Sequence, residues 1–276
     1  MVETVGSGEP DRLRTRLDRE HRARLEAESI AERVTAQLYA ANLQVERANA
    51  VLEAANQSLR DFVAVASHDL RGPLATVMGF AATLTESWDR IREDDKREFM
   101  GAISRQAHHL NRIVEDLLTV SGLEAGVTEA RIEEIRLAGV LEQVAMEFGE
   151  RSPDIEVSCS SELTVLADPD HLHRILDNYI SNAFKYGEPP VEARAHDAGG
   201  WAEVHVCDHG DGVPAEFVPR LFGKFARADD ASRRAKGTGL GLSIVRGLAV
   251  VNGGDAWYEQ NRPHGSCFAV RLPRPA

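Results

Sequence analysis

The chain has 276 residues, of which 43% are hydrophobic and 28% are charged. This length and composition allow two globular domains and exclude a disordered or fibrous protein. The formal net charge of -12 disfavours a general binder of nucleic acid or of anionic membranes. No apolar run approaches the roughly 18 residues that span a bilayer, and the acidic, Gly-rich N-terminus is unlike a signal peptide. We therefore expect a cytoplasmic protein without a membrane segment.

The three cysteines, Cys159, Cys207 and Cys267, lie far apart in the sequence and form no C-x-x-C pair. This spacing indicates neither a disulfide framework nor a zinc knuckle. We therefore expect three buried free thiols in a reducing compartment.

The N-terminal part is predicted as a flexible tail over residues 1–12 followed by one helix over residues 13–60, because helix-forming residues dominate there without an internal Gly or Pro. Apolar residues recur in alternating steps of three and four, which is the seam of a coiled coil. This predicts a parallel dimer, although a helix packed on its own domain is the alternative. The seam consists of Leu38, Ala41, Val45, Ala48, Leu52, Ala55, Leu59 and Phe62.

The next segment predicts an amphipathic helix over residues 61–87, with apolar residues at 62, 66, 70, 74, 77, 81 and 84. His68 lies off this stripe, and the neighbouring Asp69 can orient its imidazole and leave one nitrogen lone pair free. Pro73 lacks an N–H for the carbonyl of Asp69, so we expect a kinked or loosened turn at the histidine. A nucleophilic His68 and an ordinary exposed helical histidine are both open from this segment alone.

A second amphipathic helix is predicted over residues 93–123, with the polar residues 91–96 as the turn before it. Two such helical hairpins in a dimer would bury both apolar stripes in a four-helix bundle. The pattern changes near residues 122–126, so we divide the rest of the chain into a hairpin domain over 61–126 and a second domain over 127–276.

The second domain is predicted as an α+β sandwich, with helices covering one face of a mixed or antiparallel sheet. Short β-rich runs alternate there with amphipathic stretches. Strands are expected at 154–159, 163–167, 190–196, 202–207, 255–260 and 266–272, and helices near 137–149, 169–186 and 239–251.

Two motifs of this domain combine polar groups that suit a bound nucleotide. Asn178, Asn182 and Lys185 recur at helical spacing, so one helix face presents amide oxygens for Mg²⁺ and an ammonium for phosphates. Asp208, in Asp-His-Gly-Asp-Gly, follows a predicted strand, and its carboxylate can accept from an exocyclic amine. A polar helix surface and a plain Gly-rich turn are the alternatives for these motifs taken singly.

A third motif, Lys-Gly-Thr-Gly-Leu-Gly over residues 236–241, opens a predicted helix. Exposed N–H groups at a helix N-terminus suit a polyphosphate. The spacing is neither that of a P-loop nor that of a dinucleotide-binding fingerprint, and no strand precedes it, so those two sites are excluded.

With these motifs in order, residues 61–272 resemble the two-component sensor histidine kinases. The segment around His68 is similar to their phospho-acceptor box, the three later motifs are similar to their N, G1 and G2 boxes, and Leu-Phe-Gly-Lys-Phe over residues 221–225 is similar to their F box. The resemblance implies a homodimer with an all-α coiled coil and four-helix-bundle domain, and an α+β ATP-binding domain. It also implies a response-regulator receiver domain as partner and an unknown sensor input.

By this resemblance, His68 accepts the γ-phosphoryl group of ATP, Asp69 assists as acid or base, and Asn182 binds Mg²⁺. Asn178 and Lys185 would contact Mg²⁺ or phosphates, Asp208 would contact adenine, and residues 223–236 would form a lid whose Lys and Arg face the triphosphate. The implied nucleotide-binding set is Asn178, Asn182, Lys185, Tyr186, Asp208, Gly210, Gly212, Phe222, Lys236, Gly237, Thr238, Gly239, Leu240 and Gly241.

One departure from the family is Gly72, where a Thr or Asn four residues after the histidine is usual and is associated with dephosphorylating the partner. We therefore expect a kinase with weak phosphatase activity. Two rival functions stay open: an ATPase of the gyrase and chaperone class, which would use a Glu where Asn178 stands to activate water, and a degenerate, non-enzymatic dimeric scaffold.

Overall fold

The computed structural model describes residues 9–226 and 238–275. The chain forms two compact units, residues 1–61 and 62–276. Helix α1 (Glu9–Ser87) contains the described part of the first unit and continues into the second. It begins four residues before the predicted start. Residues 1–8 of the predicted tail lie outside the described residues.

Three apolar residues of the predicted coiled-coil seam are exposed on α1. Leu38 is 64% exposed, Val45 is 57% exposed and Leu52 is 63% exposed. No residue that the structure describes covers these three side chains. Further along, α1 stays helical through Pro73, whose side chain is buried. The kink that we predicted at Pro73 stays a prediction.

The helical hairpin is completed by a 3-10 turn over Trp88–Arg90 and helix α2 (Glu93–Glu124). The turn lies earlier than the predicted residues 91–96, because the acidic residues Glu93, Asp94 and Asp95 form the first turn of α2, where negative charge is favourable. Phe80 of α1 stacks on Phe99 of α2 with ring centroids 4.9 Å apart, which fixes the register of the two helices. No helix of the described chain is long and apolar enough to cross a bilayer.

The remaining described residues form an α/β sandwich, and the predicted fold class is confirmed. A two-stranded antiparallel sheet pairs β1 (Glu133–Arg136) with β3 (Thr164–Ala167). A mixed five-stranded sheet has the order β2-β4-β5-β7-β6, with only the β2–β4 pair parallel. Its strands are β2 (Ile155–Cys159), β4 (Val191–Asp197), β5 (Trp201–Cys207), β6 (Asp255–Gln260) and β7 (Ser266–Pro273). The sequence did not predict β1, since three of its four residues are charged.

Three helices accompany this sheet: α3 (Leu137–Glu147), α4 (Pro169–Tyr186) and α5 (Gly241–Val251). Apolar side chains from the inner face of the sheet and from the helices share one core. Asp168 caps α4 by accepting from the N–H groups of Asp170 and His171 at 3.0 and 3.1 Å. The core fixes α4 and α5 side by side, and the polar face of α4 remains available for a ligand.

The expectation of three free cysteines is wrong. Cys207 and Cys267 form a disulfide between directly opposed positions of β5 and β7, with Cα atoms 4.0 Å apart. The two residues are 60 positions apart in sequence, and only the strand register brings them together. Cys159 remains free and half-buried, and its burial raises the pKa of the thiol.

Candidate active site

The His68 side chain projects into solvent from α1 and is 85% exposed. Its Nδ1 lies 3.0 Å from Oδ1 of Asp69. An ionised carboxylate only accepts hydrogen bonds, so this contact favours the tautomer in which Nδ1 carries the proton and Nε2 keeps its lone pair. Asp69 is mostly buried, and its Oδ2 has no hydrogen-bond partner among the described residues. The structure thus places Asp69 within hydrogen-bonding distance of an exposed imidazole; its role in orienting His68 stays a prediction.

Asp208, unlike His68, is buried, and only 2% of this residue is exposed. Its Oδ1 accepts from the N–H groups of Gly210 at 2.9 Å and Ser266 at 3.1 Å. Burial raises the pKa of the Asp208 carboxyl, while these backbone hydrogen bonds oppose the shift. The main chain thus fixes the side chain before any ligand arrives.

Glycines surround Asp208 at distances that exclude any side chain. A Cβ at Gly187 would lie 2.3 Å from Cγ of Asp208, and a Cβ at Gly210 would lie 2.7 Å from Cα of Gly187. Gly265 has φ +118°, and its Cβ would lie 1.9 Å from the Asp208 carbonyl oxygen. Gly212 has φ +79° and packs on the carbonyl of Gly265. This shallow, side-chain-free floor next to a fixed carboxylate suits a flat ring.

The outward face of α4 carries the amide and amine groups predicted from the sequence. Asn178 donates to the carbonyl oxygen of Arg174 at 2.9 Å, and its Oδ1 would be only 2.5 Å from a Cβ at Gly241. Asn182 is half-buried, and Tyr186 is 52% exposed at the helix end. The structure thus places the N-terminus of α5 directly against the Asn178 side of α4.

Lys185 lies on the same face of α4. Desolvation of its ammonium and the charge of Arg112 lower the pKa of Lys185, although the residue as a whole is exposed; Asp177 and Asp116 act in the other direction. These surroundings show that the C-terminal end of α4 lies near charged groups of α2.

The Gly-rich motif is described from Thr238 onwards, and Lys236 and Gly237 lie outside the described residues. Gly239 has φ +69°, and a Cβ there would lie 3.0 Å from Cα of Phe225. Gly239 and Phe225 are therefore in close contact. Leu240 is fully buried and donates its N–H to Oγ1 of Thr238 at 3.2 Å, so it could reach a ligand only through its main chain.

Phe222, of the predicted F box, is partly buried against the core, with the guanidinium of Arg246 5.9 Å from its ring centroid. Its neighbour Phe225 has φ +58°, a backbone conformation that is rare for residues other than glycine. The F box therefore packs where the chain enters and leaves the segment 227–237.

The α/β sandwich contacts α2 through a polar cluster. Arg174 of α4 donates to Asp116 at 2.7 Å and to Thr119 at 2.6 Å. Burial raises the pKa of the Asp116 carboxyl, while the hydrogen bond from Arg174 opposes this shift. Leu123 of α2 also packs against Gly247 of α5. These contacts hold α4 and α5 against the second half of α2.

The helical register relates this contact to His68. His68 lies twelve residues before Phe80, and Asn111 lies twelve residues after its stacking partner Phe99. Equal rise along the two antiparallel helices therefore sets His68 level with Asn111, and Asp116 lies about 8 Å further along the hairpin axis. The polar face of α4 thus meets the hairpin near the level of the histidine.

Family models match both parts of the chain. Residues 58–126 match the His Kinase A (phospho-acceptor) domain, and residues 167–276 match the histidine kinase-, DNA gyrase B- and HSP90-like ATPase family. The chain is 33% identical over 234 residues to the circadian input-output histidine kinase CikA of Synechococcus elongatus, covering 81% of this chain and 31% of CikA.

The chain belongs to the sensor histidine kinases. Three curated relatives that it matches are longer, and the chain spans between 31% and 63% of their lengths.

Two solved structures resemble this histidine kinase. Full-length ShkA in complex with AMPPNP has a TM-score of 0.56 and 27% identity, covering 78% of this chain and 45% of that one. The histidine kinase ThkA in complex with the response regulator protein TrrA has a TM-score of 0.57 and 22% identity, covering 78% of this chain and 61% of that one; this likeness concerns the fold alone.

Sequence reasoning missed several residues that shape the Asp208 site of this histidine kinase. Gly187 and Gly265 form its floor, Ser266 donates to its carboxylate, and Asn261 donates to its carbonyl oxygen at 2.8 Å. The only signal was the Gly-Ser pair at a strand start, which is too common to predict a site. Their role depends on the β5–β7 pairing, which sequence spacing does not specify.

Proposed function

We propose that this chain transfers the γ-phosphoryl group of ATP to His68 and then to an aspartate of a response-regulator receiver domain. The observation that carries the proposal is the pairing of His68 Nδ1 with Asp69, which leaves Nε2 as an exposed nucleophile. The predicted divisions into a coiled coil over 13–60, a hairpin domain over 61–126 and an ATP-binding domain over 127–276 are part of this proposal.

At His68, the Nε2 lone pair would form the new N–P bond while the bond between the γ-phosphorus and the bridging oxygen of ADP breaks. The ring gains positive charge in this step, and the Asp69 carboxylate beside Nδ1 stabilises it. The Nδ1 proton stays between the ring and Asp69, so the product is a phosphohistidine with an intact orienting hydrogen bond.

On the nucleotide side, Asp208 and its glycine floor suit adenine, because a fixed carboxylate can accept from the exocyclic amine over a surface without side chains. The Asn182 amide oxygen is a fitting ligand for Mg²⁺, with Asn178 next to it on α4. When bound, Mg²⁺ supplies charge neutralisation at the phosphates. Lys185 adds a positive charge on the same helix face, and the N–H groups at the start of α5 can donate hydrogen bonds to a phosphate.

The molecules that accompany the similar structures support ATP and a response regulator as the proposed binding partners. AMPPNP, an ATP analogue, accompanies ShkA, and a response regulator accompanies ThkA. Exposed Leu38, Val45 and Leu52 on α1 favour a homodimer, since a second copy would cover this seam. The sensor input and the cytoplasmic location stay predictions from the sequence.

The proposal is tested by incubating the purified chain with γ-labelled ATP. Label that is labile in acid and stable in base should appear on the parent chain, be lost in His68→Gln and remain in His108→Gln, which removes an exposed histidine from α2 instead. Equal labelling of His68→Gln would contradict the proposal. Free phosphate without labelled protein would favour the ATPase, and bound ATP with neither product would favour the scaffold.

The ATPase alternative is disfavoured by Asn178. An amide cannot remove a proton from water, so hydrolysis would lack its general base. The scaffold alternative is disfavoured by the burial of Asp208 and its two backbone hydrogen bonds, which a surface without a ligand would not need.

We further propose that phosphatase activity is weak because Gly72 offers no side chain four residues after His68. Outside the backbone of its own helical turn and its two chain neighbours, no described atom lies within 4 Å of a Cβ at position 72, so we expect Gly72→Thr to fit without rearrangement. The variant should dephosphorylate a phosphorylated regulator faster than the parent. Rapid dephosphorylation by the parent, with no gain in Gly72→Thr, would refute this idea.

A further inference from the structure

The outer face of the five-stranded sheet carries a cluster of two histidines and a glutamate. His196 of β4 pairs in register with Glu203 of β5, and His205 follows Glu203 two residues later on the same strand. The alternate residues Ala195 and Val204 are buried towards the helices. The cluster therefore lies on the face of the sheet opposite to α4 and the nucleotide residues.

The three side chains direct ligand atoms to one point. Nε2 of His196 and Nε2 of His205 each lie 3.5 Å from Oε2 of Glu203, and the cluster's ligand atoms all lie within 4.8 Å of one another. Around a tetrahedral Zn²⁺ with bonds of about 2.0–2.1 Å, two ligand atoms are about 3.3 Å apart. Small side-chain rotations would bring the group to this geometry.

An independent observation concerns His205. Its Nε2 is buried and has no hydrogen-bond partner among the described residues. A buried polar atom without a partner is destabilising, and here it points towards the other two ligands. A bound cation would satisfy it.

Neighbouring packing holds the ligand set in place. The His205 ring stacks on His196 with centroids 5.3 Å apart and meets the edge of Trp257 at 6.0 Å. Two arginines lie opposite members of the cluster, Arg194 opposite His205 and Arg271 opposite Glu203. Arg194 is ion-paired with Glu192, and Arg271 lies over the ring of Trp201, so neither of these two arginines neutralises the cluster.

We propose that His196, Glu203 and His205 bind one Zn²⁺ or similar late first-row divalent cation, with water as the fourth ligand on the exposed side. Two imidazole nitrogens and one carboxylate suit Zn²⁺ and not Mg²⁺, which prefers oxygen ligands. Both histidines bind as neutral rings through Nε2. The site is separate from the proposed Mg²⁺ at Asn182, and the cation would link β4 to β5.

The test is Zn²⁺ binding by the tag-free, disulfide-bonded chain in competition with a chromophoric chelator, with excess Mg²⁺ present. One Zn²⁺ per chain is expected, and Co²⁺ should give the visible absorption of a tetrahedral site. His196→Gln and Glu203→Gln should each weaken binding by more than about tenfold, since even loss of an outer-shell partner costs 10–100-fold. His196 is 56% exposed, so its replacement should not disturb folding.

His173→Gln is the matched control, because His173 also pairs with a glutamate, Glu147, at 2.8 Å but belongs to no group of three ligands among the described residues. It should bind Zn²⁺ as the parent does. Binding that is unchanged in His196→Gln and Glu203→Gln, or weakened equally in His173→Gln, would overturn the proposal, as would the absence of a one-to-one complex. None of these readouts depends on ATP or on phosphorylation.

Discussion

The phospho-acceptor and nucleotide regions of this histidine kinase are built in opposite ways. His68 is 85% exposed and is oriented by one neighbour on its own helix, Asp69. Asp208 is 2% exposed and is fixed by N–H groups from residues 210 and 266. The first site depends on local sequence, whereas the second exists only after the sheet has formed.

This difference fits the different partners of the two sites. Under the proposed function, His68 meets both an ATP-loaded domain and a response regulator, so it has to stay accessible and cannot be enclosed by its own chain. A nucleotide site gains affinity when its groups are fixed in advance, because less order is lost on binding. The difference predicts that substitutions at His68 change chemistry and that substitutions around Asp208 change stability as well.

The largest expected effect is in the glycine floor. Gly265→Ala should lower the free energy of unfolding by more than about 3 kcal/mol, because it adds backbone strain at φ +118° and a Cβ 1.9 Å from the Asp208 carbonyl oxygen. Gly199→Ala is the control: its φ is +69° but its Cβ meets no atom within 4 Å, so strain alone should cost about 1–2 kcal/mol. Urea unfolding measures both, and equal losses would show that the close approach is unimportant.

His68→Gln provides the other side of that contrast. The side chain is exposed, so the free energy of unfolding should stay within about 0.5 kcal/mol of the parent although labelling is lost. A destabilisation similar to that of Gly265→Ala would mean that the two regions are not built differently.

Asp208→Asn should weaken ATP binding by about 10–100-fold, which corresponds to losing a hydrogen bond to a charged group. The amide oxygen can still accept from Gly210 and Ser266, so the fold should be kept. Asp211→Asn, an exposed carboxylate in the same loop, should leave the Kd unchanged. Calorimetric titration with ATP measures the Kd of the parent and of both variants. Equal Kd values for the parent and Asp208→Asn would show that Asp208 does not contact ATP.

The Arg174–Asp116 ion pair joins the two regions, and its side chains are only 28% and 13% exposed. A double-mutant cycle with Arg174→Met and Asp116→Asn should give a coupling energy of about 1 kcal/mol or more, since partly buried pairs exceed exposed ones. The exposed pair of Arg24 and Glu28 should give about 0.5 kcal/mol or less. Similar coupling energies for both pairs would mean that the ion pair between α2 and α4 contributes little to stability.

The smallest effect is expected at the helix cap. Asp168→Ala should lower stability by about 1 kcal/mol at pH 7, whereas Asp170→Ala should cost less. Burial raises the pKa of Asp168, but hydrogen bonds from the N–H groups of Arg131 and His171 outweigh it and hold the pKa below the usual value. The stabilisation by the Asp168 carboxylate is therefore fully present above its pKa in the unfolded chain, about 3.9. This stabilisation is lost as the pH falls through the lower pKa of Asp168 in the folded chain. The test is the unfolding of the parent and of Asp168→Ala at pH 7 and at pH 3. If the variant loses as much stability at pH 3 as at pH 7, the charge of the Asp168 carboxylate is not the cause of the loss.

Local patterns were sufficient for much of this protein. The period of apolar residues predicted α1, α2, α4 and α5, and the adjacency of Asp69 predicted the orientation of His68. The order of five short motifs predicted the family, because each motif needs only its own residues to be recognised. The polar strand β1 was missed, since its conformation depends on pairing with β3.

The sequence by itself thus determined the helical hairpin, the phospho-acceptor segment and the presence of a nucleotide motif set, because these features depend on neighbours along the chain. Tertiary structure alone decided the Cys207–Cys267 disulfide, the glycine floor of Asp208 and the grouping of His196, Glu203 and His205. Each of these depends on strand order and register. Pairing between distant strands is set by the packing of the whole core, and no spacing within one segment records it.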